Sequence, residues 1–193
     1  MGKKIFLSRN SALSGKITNR LTAIRTSIQQ LEDSSAVFLD AWQRNPPELD
    51  QASDASMEAM VHLDHIVNDI LRARDDAKTI GNFKGSDLAQ ELRKFCGLAS
   101  SSVTRAQQEA LVTVGPGNGS LPFKGQPLKM ERLLNKIKHR ISDLSNFRVG
   151  NKGEHIFVIS VNKPNHQPDS IVEFIIGDFC SHCSRISAIL ERY

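Results

Sequence analysis

Apolar residues recur near the start of the chain at Leu13, Ile17, Leu21, Ile24, Ile28, Leu31, Phe38 and Trp42, with Ser35 filling the one gap. From Ile17 the steps run four, three, four, three, the spacing of a narrow seam between packed helices. This predicts a helix from about Ser11 to Arg44. It must stop at Asn45-Pro46-Pro47, because proline lacks the amide donor and disfavours helix in the residue before it. A second helix is expected from about Asp50 to Lys78, with Met60, Leu63, Val67 and Ile70 on one face. Two long helices joined by a short loop make an antiparallel hairpin. A seam this narrow on one hairpin is expected to need a second copy, giving a homodimeric four-helix bundle.

After Thr79-Ile80-Gly81-Asn82 the pattern changes, which places a boundary between a hairpin dimerisation domain (1–80) and a second domain (81–193). Ser86 or Asp87 caps a helix running through Leu98, with Leu88, Leu92, Phe95 and Leu98 inward. Ala110 to Val114 reads as a short β-branched strand ended by Gly115-Pro116-Gly117-Asn118-Gly119. Gln126 to Leu144 reads as a helix burying Met130, Leu133, Leu134, Ile137, Ile141 and Leu144. His155 to Val161 and Ile171 to Ile176 read as strands of a hairpin, and Cys180 to Tyr193 as a short helical end. The expected fold class is α+β, with helices over one face of a small sheet.

Composition narrows this little. Of 193 residues, 39% are hydrophobic and 24% charged, ordinary for a soluble globular chain. No apolar run approaches membrane-spanning length, and MGKKIFLSRN lacks the apolar core of a signal peptide, so a cytoplasmic protein is expected. Three cysteines without a secretion signal argue against a disulfide framework. A formal charge of +4 favours acidic partners without choosing between nucleic acid and an acidic protein surface.

Several strings, in collinear order over nearly the whole chain, resemble the catalytic core of sensor histidine kinases. Ser14-Gly15-Lys16-Ile17-Thr18-Asn19-Arg20-Leu21-Thr22-Ala23-Ile24 lies without a gap over the family's phosphoacceptor box, in effect S-H-E-L-R-T-P-L-T-A-I. Leu121 to Pro127 is similar to the segment leading into the nucleotide-binding helix. Leu133-Leu134-Asn135-Lys136-Ile137-Lys138-His139 lies over the asparagine box. Ile175-Ile176-Gly177-Asp178 resembles the strand that carries the adenine-recognising aspartate. The resemblance implies a dimeric hairpin followed by an ATP-binding-like domain, an architecture related to that of histidine phosphotransfer proteins.

The departures from that pattern carry the functional expectation. The phosphoaccepting histidine falls at Gly15, which has no nucleophile, and the acidic residue beside it is Lys16. Asn135 matches the first asparagine of its box, but the magnesium-binding second one is His139, and magnesium prefers hard oxygen ligands. After Asp178 the glycines that let backbone approach the nucleotide are replaced by Cys180 and His182, and the run to Tyr193 is expected to lack the glycine-rich lid. A pseudokinase follows: no catalytic residue, no metal, no cofactor, and ATP and magnesium binding lost or weak. The expected function is a non-catalytic signalling adaptor that dimerises and binds a response-regulator receiver domain or a histidine kinase. Its contact surface would be Ser14, Lys16, Thr18, Asn19 and Arg20, facing the second helix around His62 and His65. Lys16 and Arg20 would meet the receiver's acidic pocket, where complementary charge speeds encounter.

Three other chemistries stand beside this one. His62 or His65 would be the phosphoacceptor of a histidine phosphotransferase, against the plainer reading of solvated helical histidines. Cys180-Ser181-His182-Cys183 is a CxxC that offers a redox pair or, with His155 and His166, a loose zinc set, against inert thiols. Lys129, Arg132, Lys136 and Arg140 form a basic helical stripe suited to nucleic-acid phosphates, against a solvated face.

Overall fold

Two long helices open the chain, α1 (Lys3–Gln43) and α2 (Leu49–Thr79), joined by the proline loop and running antiparallel. The structure is a computed structural model that describes residues 3–192, with side chains described from residue 19 to residue 192. Helix α1 begins earlier than the pattern alone predicts, because nothing in KKIFLSRN breaks a helix. Its buried positions are Leu21, Ile24, Ser27, Ile28, Leu31, Ser34, Ser35, Phe38 and Ala41. Small serines widen the stripe beyond the apolar seam, as a helix needs when it packs on two neighbours at once. One neighbour is α2 and the other is the last helix, α6 (Ile176–Leu190), to which Arg25 bonds through Ser187 (3.2 Å) and Glu191 (2.6 Å). The premise that this stripe needs a second copy is therefore corrected from Leu21 onward: α2 and α6 of the same chain cover it.

Between the hairpin and α6 lie α3 (Asp87–Leu92), β1 (Phe95–Ser101), α4 (Arg105–Thr113), β2 (Gln126–Lys129), α5 (Met130–Lys138), β3 (Arg140–Val149), β4 (His155–Asn162) and β5 (Pro168–Ile175). The five strands form one antiparallel sheet in the order β2-β1-β5-β4-β3. The chain is thus α+β, with six helices and five strands among the described residues. Alternate residues of β4 face opposite sides. Phe157, Ile159 and Val161 join the helical core, whereas Ile156 and Val158 meet Val103 and Leu111 beneath α4. The turn after α2 sits where the pattern changes, near residue 81, yet the core does not divide there. One continuous cluster holds Ile24, Phe38, Leu63 and Ile70 of the hairpin together with Leu134, Phe157, Phe174 and Phe179.

Several local expectations are overturned. The helix from Ser86 ends at Leu92, and Phe95 to Ser101 is strand, leaving Phe95 exposed. Ser86 does cap α3, accepting from the Ala89 amide at 3.2 Å. Gly97 marks the change: a Cβ there would sit 2.8 Å from the Glu173 carbonyl on β5, so this strand needs a glycine. The expected strand at Ala110–Val114 is instead the end of helix α4, opened by a capping box between Thr104 and Gln107. The expected helix Gln126–Leu144 divides into β2, α5 and the start of β3, so Ile141 lies on a strand. Helix α6 starts at Ile176, which puts Asp178 in its first turn and the CxxC inside the helix.

Candidate functional site

The register of the hairpin sets what the site residues can do together. Arg20 pairs with Asp76 at 2.6 Å, so the start of the described α1 surface lies beside the end of α2. His65 lies eleven residues before Asp76, about 16 Å away along the helix axis. The surface expected to join Arg20 to His62 and His65 is thus divided: Asn19 and Arg20 sit at one level of the hairpin, the two imidazoles at another. Ser14, Gly15, Lys16 and Thr18 fall outside the residues whose side chains are described.

His62 is half-buried on α2, with Nε2 3.8 Å from Glu58 and Nδ1 buried without a partner. His65 is exposed, and the two rings lie 6.5 Å apart. Asp64, between them in sequence, binds the Arg140 guanidinium through both carboxylate oxygens.

The positions that resemble nucleotide-binding residues are not brought into one pocket. The Asn135 amide donates to the Glu131 carbonyl of its own helix at 2.8 Å. His139 is the exposed C-cap of α5. Asp178 lines a separate trough of about 580 Å³ at one end of the sheet, with Phe95, Leu98, Ile175 and the Arg148–Glu173 pair.

The remaining motifs resolve into structural roles. Cys180 and Cys183 are buried in α6, and Cys96 is buried on β1. Burial pushes the Cys96 and Cys180 thiols up to about 12 and raises Cys183 as well, so all three stay protonated and weakly nucleophilic. His155 is buried, stacked on Phe38 at 3.7 Å with Nδ1 3.1 Å from the Ser35 hydroxyl; burial pushes its pKa down to about 3. His166 lies in the β4–β5 turn. Among the described residues no cluster of His, Cys, Asp or Glu is placed to hold a metal ion. The basic stripe also breaks up. Lys136 pairs with Asp169, and Arg140 leaves the helix for β3 and Asp64, so Lys129 and Arg132 are the exposed cations left of the four.

Sequence patterning missed one surface. A groove of about 430 Å³ runs between the first half of α2 and β3, lined by Met57, Met60, Val61, Val112, Pro116 and Phe147. Met57 is 63% exposed and Val61 53%, apolar side chains outside the α2 stripe that packs on the core. That offset from the main stripe is the signal the sequence does contain. Among the described residues no helix is long and apolar enough to cross a membrane. Comparison with models of protein families, with characterised proteins and with solved structures found no match, so the histidine-kinase resemblance rests on the sequence strings alone.

Proposed function

We propose that the chain is a non-catalytic adaptor of histidine-kinase type whose helical hairpin docks a response-regulator receiver domain. One observation carries the reading. Two long helices form a hairpin, yet the position that lies over the phosphoaccepting histidine is Gly15, which offers neither nucleophile nor base. The dispersal of Asn135, His139 and Asp178 supports the same conclusion, because a nucleotide would need them around one cavity. Recognition then rests on shape and charge, with Lys16, Asn19 and Arg20 at the docking end. The homodimer belongs to this reading too; its basis is Leu13 and Ile17, which continue the apolar series ahead of the stripe that the chain covers itself.

Lys16→Glu with Arg20→Glu reverses the charge of that end. Asp76 is exposed, so losing the Arg20 pair costs little stability, under about 1 kcal/mol. Calorimetric titration with a receiver domain is expected to show binding by the wild-type chain and at least a tenfold loss in the double variant. Light scattering should give both proteins the same mass, twice the chain's 21.4 kDa. Unchanged receiver binding removes this surface from the model, and a monomer mass removes the dimer.

A second reading is favoured by the two imidazoles on α2. His65 is exposed and His62 has the Glu58 carboxylate nearby, the setting a histidine phosphotransferase would need. Incubation with a phosphorylated receiver domain is then expected to leave acid-labile phosphate on the wild-type chain and none on His62→Gln, His65→Gln. Absence of label on the wild-type chain rejects this reading and leaves the adaptor.

A further inference from the structure

We propose that the groove between α2 and β3 docks an amphipathic helix of a partner protein, with lysine or arginine flanking its apolar face. The groove is built rather than incidental. Its floor is Phe147 and Phe157, both buried, and its α2 wall presents Met57, Met60 and Val61 at helical spacing. The opposite wall, from Val112 to Pro116, is held by two asparagines, Asn118 donating to the Val114 carbonyl at 3.1 Å and the Pro116 carbonyl at 3.3 Å, and Asn146 bridging its ends. The Asn146 amide donates to the Leu111 and Gly115 carbonyls, and its oxygen accepts from the Gly117 amide at 3.2 Å. Gly117 in turn lies flat against Trp42, where a Cβ would come within 1.9 Å of the indole. A fixed wall facing two flexible methionines gives a surface that adapts to the partner without losing its shape.

Charge selects the partner. On the outer shoulder of α2 stand Asp50, Asp54 and Glu58, all exposed, and Asp143 lines the groove from β3. Among the described residues Asp50, Asp54 and Asp143 have no ion-pair partner. The one lining cation, Arg140, is already neutralised by Asp64. A chain of net charge +4 therefore carries an acidic rim around its exposed apolar groove, complementary to a basic amphipathic segment.

Backbone geometry selects a helix over a strand. Between Ile141 and Ser145 the edge strand β3 leaves its register with β4, and Asp143 is exposed within that bulge. A charged bulge on an edge opposes addition of another strand. The α2 wall from Ser53 to Val61 runs about 12 Å, the length of two helical turns, enough to receive apolar side chains at i, i+3 or i+4, and i+7.

The test uses the full chain with 13C-methyl methionine and two synthetic amphipathic helices that share one leucine face. One carries lysine on its polar face and the other glutamate. The lysine peptide is expected to shift the Met57 and Met60 methyl signals, leave the core residue Met130 unmoved, and bind at least tenfold more tightly than its glutamate twin. Met57→Gln with Val61→Gln should weaken it at least tenfold, and Asp54→Lys with Asp143→Lys should reverse the preference. These side chains are exposed, so the variants keep the wild-type melting temperature. Equal binding of the two peptides, or no shift at Met57 and Met60 at millimolar peptide, overturns the proposal. So does self-association that the Met57/Val61 variant abolishes, since the occupant would then be a second copy. The inference is independent of receiver docking: Lys16→Glu with Arg20→Glu leaves peptide binding unchanged, so either reading can fail alone.

Discussion

Replacing Phe38 by alanine is expected to cost about 3–5 kcal/mol, the range for deleting a fully buried aromatic ring. Phe38 has no exposed surface. It stacks on His155 at 3.7 Å, meets Phe147 edge-on at 4.9 Å and lies 5.9 Å from Trp42. Those contacts fasten α1 to β3 and β4, so the cavity would open at the seam between the hairpin and the sheet. Because the core is continuous across residue 81, the wild-type chain should unfold in one transition, and the variant's should move to lower denaturant as a whole. The measurement is urea unfolding followed by far-ultraviolet circular dichroism and by the fluorescence of Trp42, the single tryptophan. Phe95→Ala, on the exposed end of β1, serves as control and should cost less than about 1 kcal/mol. Separate transitions for the two probes, or a Phe38 effect no larger than the control's, would show that hairpin and sheet are energetically independent.

The second large effect is expected at Glu91. Its carboxylate is buried on α3 and receives Lys94 Nζ at 2.6 Å, His182 Nδ1 at 2.7 Å and Arg185 Nε at 2.8 Å. Two of these donors come from α6, so the carboxylate pins α3 to the helix that also covers α1. Glu91→Ala strands the buried His182 ring and unties both helices. Breaking a buried pair costs about 3–5 kcal/mol, and the partial exposure of Lys94 and Arg185 brings the expectation to about 2–4 kcal/mol. Burial alone would raise the Glu91 pKa, but hydrogen bonds from Arg185, Lys94 and His182 outweigh it and hold the group at about 2, below its ordinary 4.5. A depressed folded pKa means that the unfolded chain takes up the proton first. The stabilisation is therefore complete above pH 4.5 and drains away as pH falls towards 2. Glu91→Gln removes the titration while keeping the shape. Its unfolding free energy should fall less steeply than the wild type's between those limits, and parallel curves would show that Glu91 has no such role.

How far the residues announce this architecture differs from element to element. Both hairpin helices, the β4–β5 hairpin and the Ser86 cap are legible, because long periodic runs, alternation and capping chemistry are local signals. Three elements depart from the local pattern because that pattern fits two structures. Leu88, Leu92, Phe95 and Leu98 match a helix, yet Gly97 meets the Glu173 carbonyl, a neighbour set by pairing with β5. Ala110 to Val114 looks β-branched, yet the Thr104–Gln107 box starts a helix ahead of it. Ile141 keeps the period of α5, yet the chain has already turned into β3.

The candidate site divides the same way. That Gly15 carries no nucleophile is a property of the residue and needs no fold. Which side chains stand together is not local. The Arg20–Asp76 register parts the expected docking residues from His62 and His65, and Asn135 and Asp178 face different surroundings. The groove at Met57 and Val61 exists only because α4, β3 and α2 converge from three separate parts of the chain. Sequence by itself settled the two-helix hairpin and the α+β class, since each depends on neighbours a few residues apart, and it gives Gly15 no nucleophilic side chain. Tertiary structure alone decided that serines let α1 pack inside its own chain, that the thiols and His155 are buried, and that an open apolar groove forms with Asp143 in its lining. Those outcomes depend on contacts between residues distant in sequence, which no periodicity along the chain encodes.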